Sequence, residues 1–355
     1  MDTSQHEDIL NLVLKDKVTD AAEIELHFFE YCNLACAFCG QDHDSQVGMN
    51  TVMNKAERVK EFIEQSRKDK FIINMMGGEL FNDLVSDDLF VDYLNFALDV
   101  DSHAQQAGKH CTFNWVTNLV FEKWERVQKL LDTLRMLKVK TNVSTSYDFA
   151  GRPLNEARKD MFHQNLERFG KQIYTIGFVL TKQAIKRIVA ERDEEFEYLY
   201  ERYPLYFDYY VPERLSQHMI PSDREHLEVF LYLAEHYPNV APVSDWVKHK
   251  FNQMTCYSLN KLTLLPDGRE VKCRYLKYDE KDFNTPIDYK SNTNIIQSHL
   301  DKYGCLSCEH FNRCSFRCFV QADWTNREEM ETCLYKEFFN TILEPKNAAQ
   351  YNVTV

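Results

Sequence analysis

The chain has little glycine and little proline, 10 and 9 residues in 355. That scarcity excludes a collagen-like, low-complexity or disordered polypeptide. No stretch of 18 apolar residues occurs, so no hydrophobic helix is expected to cross a membrane. Met1 to Ala22 is polar, carries Asp2, Glu7 and Asp8, and has neither a basic start nor a long apolar run. No secretory signal is therefore expected there, and the expected location is cytoplasmic. Basic runs are short as well. Lys182 to Arg187 comes closest, within a helical pattern, and reads as solvated helix surface. With 42 basic and 55 acidic side chains, a formal net charge of −13, the chain lacks the positive stripe of a nucleic-acid binder. Neither nucleic acid nor an anionic membrane is expected as a partner.

What the chain does have is enough apolar material for a real core, 44% hydrophobic and 13% aromatic. Its length suits one large domain with a smaller one, or two of moderate size. It also has 11 cysteines. In a reducing compartment disulfides are disfavoured, and clustered cysteines point to metal.

Short apolar runs alternate with helical patterns over the first two thirds. Strands are predicted at Glu23–Glu30, Phe71–Met76, Thr112–Thr117, Lys140–Thr145, Tyr174–Leu180 and Leu205–Val211. Helices are predicted between them at Met53–Arg67, Leu84–Val100, Phe121–Leu137, Asn155–Phe169 and Lys182–Tyr203. Six βα units in a row imply an α/β fold, a parallel sheet curved into a partial (β/α)6 TIM-like barrel with its chemistry at the C-terminal strand ends. Ser222–Tyr237 reads as a bridging helix, with Ser222 and Glu225 as a capping box. Asp267-Gly268, between Leu262–Leu265 and Glu270–Lys272, signals a hairpin. The expected divisions are an N-terminal segment 1–22, a barrel 23–214, a helical bridge 215–250 and a small cysteine-rich α+β domain 251–355.

After the first predicted strand comes Cys32-Asn33-Leu34-Ala35-Cys36-Ala37-Phe38-Cys39, a C-x3-C-x2-C spacing. Three thiolates on one loop can hold three irons of a cubane and leave the fourth open. A zinc ion completed by His43 is the other reading of the same cysteines. Beyond this loop, Met76-Gly77-Gly78-Glu79 ends the second strand. Glycines there permit close backbone approach, and a carboxylate suits an ammonium group.

C-x3-C-x-aromatic-C at the end of a first βα strand, followed by Gly-Gly-Glu at the end of the second, resembles the radical S-adenosylmethionine (radical SAM) superfamily. The resemblance implies a catalytic [4Fe–4S] cluster on Cys32, Cys36 and Cys39. S-Adenosylmethionine would chelate the open iron, and its reductive cleavage would give a 5′-deoxyadenosyl radical that abstracts hydrogen from substrate. Phe38 would pack near the adenine, and Gly77, Gly78 and Glu79 would receive the amino group. Thr117 and Asn118 at the third strand end, and Ser146 at the fourth, resemble segments that contact the ribose and carboxylate, with Arg158 as a carboxylate partner. The fourth strand departs from the pattern Ser-x-Asp-Gly, reading Ser146-Tyr147-Asp148-Phe149. Thr181 is a weaker match.

Seven further cysteines follow. Cys256 and Cys273 flank Gly268, and Cys305-x2-Cys308-x5-Cys314-x3-Cys318 precedes Cys333. This order resembles the SPASM domain, a C-terminal extension of many radical SAM enzymes. By that resemblance Cys256, Cys273 and Cys318 hold an inner auxiliary cluster and Cys305, Cys308, Cys314 and Cys333 an outer one. Two cubanes need eight ligands, so one iron takes another donor or stands open. Cys111 reads instead as a plain buried cysteine.

An auxiliary cluster that accepts an electron from a substrate radical implies net oxidation, a cross-link or desaturation of a peptide or protein side chain. Arg274, where one sulfatase-modifying branch has an acidic residue, argues against that branch. The short stretch before the first strand leaves no room there for the leader-binding domain of many peptide cross-linkers. Oxidation or rearrangement of a small metabolite is a second reading, and a non-catalytic iron–sulfur or zinc scaffold a third. Tyr147, Phe149, Tyr209 and Tyr210 line a substrate pocket or belong to the core. A flavodoxin or ferredoxin is the expected electron donor.

Overall fold

Six βα repeats build one curled sheet. The computed structural model describes residues 20–44, 51–149, 151–211, 217–248, 260–271, 300–311, 313–314, 330, 332–347 and 350–351. Strands β1 (Ala21–His27), β2 (Lys70–Met76), β3 (His110–Thr117), β4 (Thr141–Ser146), β5 (Ile173–Leu180) and β6 (Leu205–Tyr209) run parallel. Two short strands complete the sheet, β7 (Lys261–Leu264) and β8 (Glu270–Val271). The strand order is β6-β5-β4-β3-β2-β1-β7-β8.

The expected hairpin is present, with β7 and β8 antiparallel and Gly268 at φ 84 in its turn. β7 also pairs in parallel with β1, Glu23 opposite Lys261 and Leu26 opposite Leu264, and so extends the barrel sheet.

Helices α1 (Ala56–Gln65), α2 (Asp87–Gln106), α3 (Trp124–Met136) and α4 (Glu156–Phe169) follow their strands, each within a few residues of its expected span. The stretch 182–203 is not one helix. It breaks into α5 (Lys182–Lys186), a π turn over Arg187–Glu191 and α6 (Glu194–Arg202). Arg192 at φ 50 stops the first part, and the Asp193 carboxylate restarts the chain by accepting hydrogen bonds from the amides of Glu195 and Phe196. Helix α7 (Asp223–His236) carries the expected capping box. Ser222 Oγ accepts from Glu225 N at 3.2 Å, and Glu225 Oε2 accepts from Ser222 N at 2.6 Å. Helix α8 (Val243–Val247) follows, and α9 (Leu334–Leu343) packs on α7 through Phe230, Tyr335 and Phe338.

The strands alternate as a half-covered sheet should. On β1, Ala22, Ile24 and Leu26 are fully buried in the main core, whereas Glu23 and Glu25 belong to the other face. That other face carries a polar ladder. Lys261 Nζ donates to Glu25 Oε1 at 2.9 Å, and Asn74 Nδ2 donates to Glu23 Oε1 at 2.8 Å. Asn114 Nδ2 donates to Asn74 Oδ1 at 2.8 Å, and Ser144 Oγ donates to Asn114 Oδ1 at 2.7 Å. Five adjacent strands are laced side to side in this way. Burial, with Glu25 and Asp208 nearby, pushes the Glu23 carboxyl above its ordinary range, while Lys261 and Asn74 pull it back.

At the far margin, Ala241 lies beside β6: Phe207 N donates to Ala241 O at 3.0 Å and Ala241 N to Leu205 O at 2.9 Å. Among the described residues no helix is long and apolar enough to cross a membrane.

Candidate cofactor site at the strand ends

The chain leaving β1 and the turn ending β2 are joined backbone to backbone. Gly78 N donates to Phe29 O at 2.8 Å, and Glu79 N donates to Tyr31 O at 2.9 Å. A Cβ placed on Gly78 would stand 2.0 Å from Tyr31 O and 2.3 Å from Glu30 O, so only glycine permits this approach. At Gly77 the nearest contact would be the Leu80 side chain at 3.0 Å, which has room to move. The cysteine loop begins at the next residue. Cys32 N donates to His43 O at 3.3 Å, Cys39 N to Cys36 O at 3.0 Å, and Gln41 Nε2 to Gly77 O at 3.1 Å. The loop is thus tied to the Gly-Gly-Glu turn at both ends.

Glu79 is fully buried. Its Oε1 accepts from Phe81 N at 3.0 Å and Thr117 Oγ1 at 2.6 Å, and its Oε2 from Asn118 N at 2.6 Å. Burial pushes this carboxyl up, and the three donors and the Arg152 charge pull it down. A carboxylate offers about four acceptor positions, so three internal bonds leave room for one more donor. Asn118 continues the chain of contacts: its Nδ2 donates to Asn33 Oδ1 at 2.8 Å and lies 3.8 Å from Cys32 Sγ. Thr117, Asn118, Glu79 and the cysteine loop therefore meet in one place, as their strand-end positions predict.

Cys32, Cys36 and Cys39 are all half-buried and all reduced. Cys32 Sγ points to Asn33 Oδ1 at 3.9 Å and Cys39 Sγ to Gln41 Oε1 at 3.6 Å, while Cys36 has Arg152 beside it. With each thiol turned to its own neighbour, no three histidine, cysteine, aspartate or glutamate side chains among the described residues stand ready to hold a metal ion. The chemistry of the donor set nonetheless fits a group that takes three thiolates. Burial raises Cys32 to about 12, and Glu79 and the other two thiols of the triad push it the same way. Burial raises Cys36 to about 11 against the pull of Arg152. Burial thus favours the protonated thiols of Cys32 and Cys36, and a bound cation would displace those protons.

Other predicted residues take varied places. Phe38 lies against Gly151, where an added Cβ would meet its ring at 2.7 Å. Ala37 N donates to Gly151 O at 2.9 Å, so the segment after β4 closes over the cysteine loop. Ser146 is at this junction, but its partner is Arg152, whose guanidinium donates to both Ser146 O and Ser146 Oγ. The Arg158 guanidinium instead donates to Pro153 O at 3.3 Å, beside the first turn of α4. Sequence reasoning missed Arg152. Its signal was Asp148-x-x-Gly151: the Asp148 carboxylate accepts from Gly151 N, a tight turn that aims the next residue back at the strand end.

Thr181 is buried as the N-cap of α5, accepting from Ala184 N at 3.1 Å. Tyr147, Phe149, Tyr209 and Tyr210 are all buried, in the core rather than along an open wall. Cys111 is a buried cysteine whose thiol is raised to about 12 chiefly by burial.

Of the C-terminal cysteines, Cys256, Cys273 and Cys318 lie outside the described residues. Cys305, Cys308 and Cys314 sit on consecutive tight turns, with Cys308 N donating to Cys305 O at 3.1 Å and Cys314 N to His310 O at 2.9 Å. Cys333 stands at the N-cap of α9.

No protein-family model matches the chain, and no curated protein matches it in sequence. Solved structures do. One, described as His6-tagged anSMEcpe with bound AdoMet, superposes with a TM-score of 0.60 at 14% identity, covering 94% of this chain and 100% of that one. Methylornithine synthase (PylB) gives 0.47 at 11% identity over 84% of this chain and 87% of that one, too low to argue from. The described residues of this chain, then, have the curled α/β fold of that AdoMet-bound structure.

Proposed function

We propose that the protein is a radical SAM enzyme whose cluster is held by Cys32, Cys36 and Cys39. The observation that carries this is the backbone junction of Gly78 and Glu79 with Phe29 and Tyr31, which sets a three-thiol loop against a buried carboxylate. When bound there, a [4Fe–4S] cluster and S-adenosylmethionine supply a hydrogen-abstracting 5′-deoxyadenosyl radical. The chain's own residues bind and orient. Cys32, Cys36 and Cys39 would hold the cluster through their thiolates. Glu79, pinned by Thr117, Phe81 and Asn118, offers its remaining acceptor position to the cofactor's ammonium group. Gly78 lets the turn after β2 close against the chain that enters the cysteine loop, Phe38 would give the adenine an apolar wall, and Ser146, with Arg152 bonded to it, would meet the carboxylate.

The substrate we propose is a peptide or protein side chain, oxidised by loss of one hydrogen atom to the radical, one proton to solvent and one electron, which clusters on Cys256, Cys273, Cys305, Cys308, Cys314, Cys318 and Cys333 of a SPASM-like domain would accept. The polar ladder from Lys261 to Ser144 favours a second reading, a polar small metabolite, because such a face suits hydrogen-bonding groups better than an apolar side chain.

Anaerobically purified Cys36→Ala tests the site. The variant is expected to lose cleavage of S-adenosylmethionine to 5′-deoxyadenosine while keeping the C-terminal iron, about eight of the twelve irons that three cubanes would hold. Cleavage retained in the variant would refute the ligand assignment. Deuterium passing from a candidate substrate into 5′-deoxyadenosine identifies the substrate class, and a product about two mass units lighter identifies oxidation.

A further inference from the structure

Helix α9 has two faces with different partners. Tyr335 and Phe338 turn one of them to α7, where each meets Phe230. Cys333, Lys336 and Asn340 are spaced i, i+3 and i+7, so they share another stripe. The turn that carries Cys305, Cys308 and Cys314 docks on that stripe. Glu309 Oε1 lies 3.4 Å from Lys336 Nζ, and His310 Nε2 donates to Asn340 Oδ1 at 2.8 Å. The His310 ring also packs on Phe339, with centroids 5.5 Å apart, and its side chain is only 12% exposed. His310 O accepts from the amides of Arg313 and Cys314, both at 2.9 Å, so one residue shapes the turn and fastens it to the helix. The ion pair is exposed at both ends, 42% for Lys336 and 63% for Glu309, and contributes little. The hydrogen bond and ring contact of His310 therefore carry the docking.

We propose that His310 is a positioning residue that holds the Cys305–Cys314 turn against the Cys333 stripe of α9 and so prepares the outer of the two auxiliary cluster sites. This rests on the SPASM-like reading above. Four free thiols on two short segments are the donor set that a four-iron cluster takes. Among the described residues no three such side chains stand ready around one point, so the contacts fix the two segments against each other and leave the thiols to turn inward on loading. Cys333 is far from the other three cysteines in sequence. Docking it beforehand removes the loop-closure cost from cluster binding. A residue that orients ligands without touching the metal changes metal affinity by about tenfold or more.

The experiment uses the full chain carrying Cys36→Ala, which takes the triad out of the count, reconstituted anaerobically with iron and sulfide. Iron released to a chelator is followed by absorbance. Adding His310→Ala to this parent is expected to release about four of about eight irons about tenfold faster. His310→Gln, whose amide nitrogen reaches as far as the imidazole Nε2, is expected within about threefold of the parent. His310→Ala combined with Asn340→Ala is expected to release iron no faster than His310→Ala alone, because both changes remove one hydrogen bond. Adding Cys305→Ala should abolish the fast phase, and a fast phase that survives it overturns the proposal. Release at the parental rate in His310→Ala also overturns it, as does a glutamine variant as fast as the alanine one. Should His310→Ala fail to fold, Asn340→Ala at its exposed position decides, and parental release there overturns the proposal. If the parent itself holds no iron, the SPASM-like reading has failed, and this inference falls with it.

Discussion

At the scale of single residues, the two glycines of Gly77-Gly78 have unequal burdens. Gly78→Ala drives a methyl into the carbonyls of Glu30 and Tyr31, which are backbone and cannot rotate aside. The expected cost is about 3 kcal/mol or more, because overpacking against fixed atoms forces strand ends apart. Gly77→Ala meets a leucine side chain, and the expected cost is about 1 kcal/mol. Urea denaturation of the two variants side by side checks this; equal costs would show that the junction between β1 and the β2 turn yields easily. Residue types with a chemical meaning were legible in the sequence at this scale. The cysteines, the Gly-Gly-Glu turn and Thr117-Asn118 could be read because strand ends of a parallel sheet come together by topology. Arg152 could not, because which of two arginines reaches the site depends on how the turn at Asp148 folds.

At the scale of elements, amphipathic periodicity located the first four helices well but ran straight through a break. Apolar positions continue across Lys182–Tyr203, so nothing in the pattern shows the left-handed Arg192. The cue was Asp193 followed by Glu194 and Glu195, an N-cap with an acidic first turn placed inside an expected helix. The capping box of α7 was read correctly because both of its residues lie within one turn. Replacing Ser222 with alanine removes the acceptor for Glu225 N and is expected to destabilise the protein by about 1 kcal/mol. A thermal or urea unfolding midpoint measures it, and a threonine at the same position should recover most of the loss.

At the scale of the whole molecule, local pattern gave the hairpin at Asp267-Gly268 and missed where it docks. Parallel pairing of β7 with β1 joins residues more than two hundred positions apart, a contact that no local periodicity encodes. That docking brings Lys261 to Glu25 and Glu23, at 2.9 and 3.8 Å. Lys261→Met leaves the two carboxylates facing each other and Asp208 without that cation, and is expected to cost on the order of 1–3 kcal/mol at neutral pH. The pH dependence follows from Glu23, whose carboxyl is already held high and would rise further. A raised carboxyl stabilises the fold below its unfolded value and loses that contribution as pH rises through the folded value. The penalty of Lys261→Met should therefore grow as pH rises from the mildly acid into the neutral range. A penalty that does not change across that window would place the charge of Lys261 elsewhere.

A sheet that curls without closing leaves two raw margins, each a row of backbone groups to which a stray strand could add. One of them is blunted here, where Ala241 has already taken the hydrogen-bonding positions of Leu205 and Phe207 beside β6. A strand from another molecule would have to displace Ala241 before it could add there.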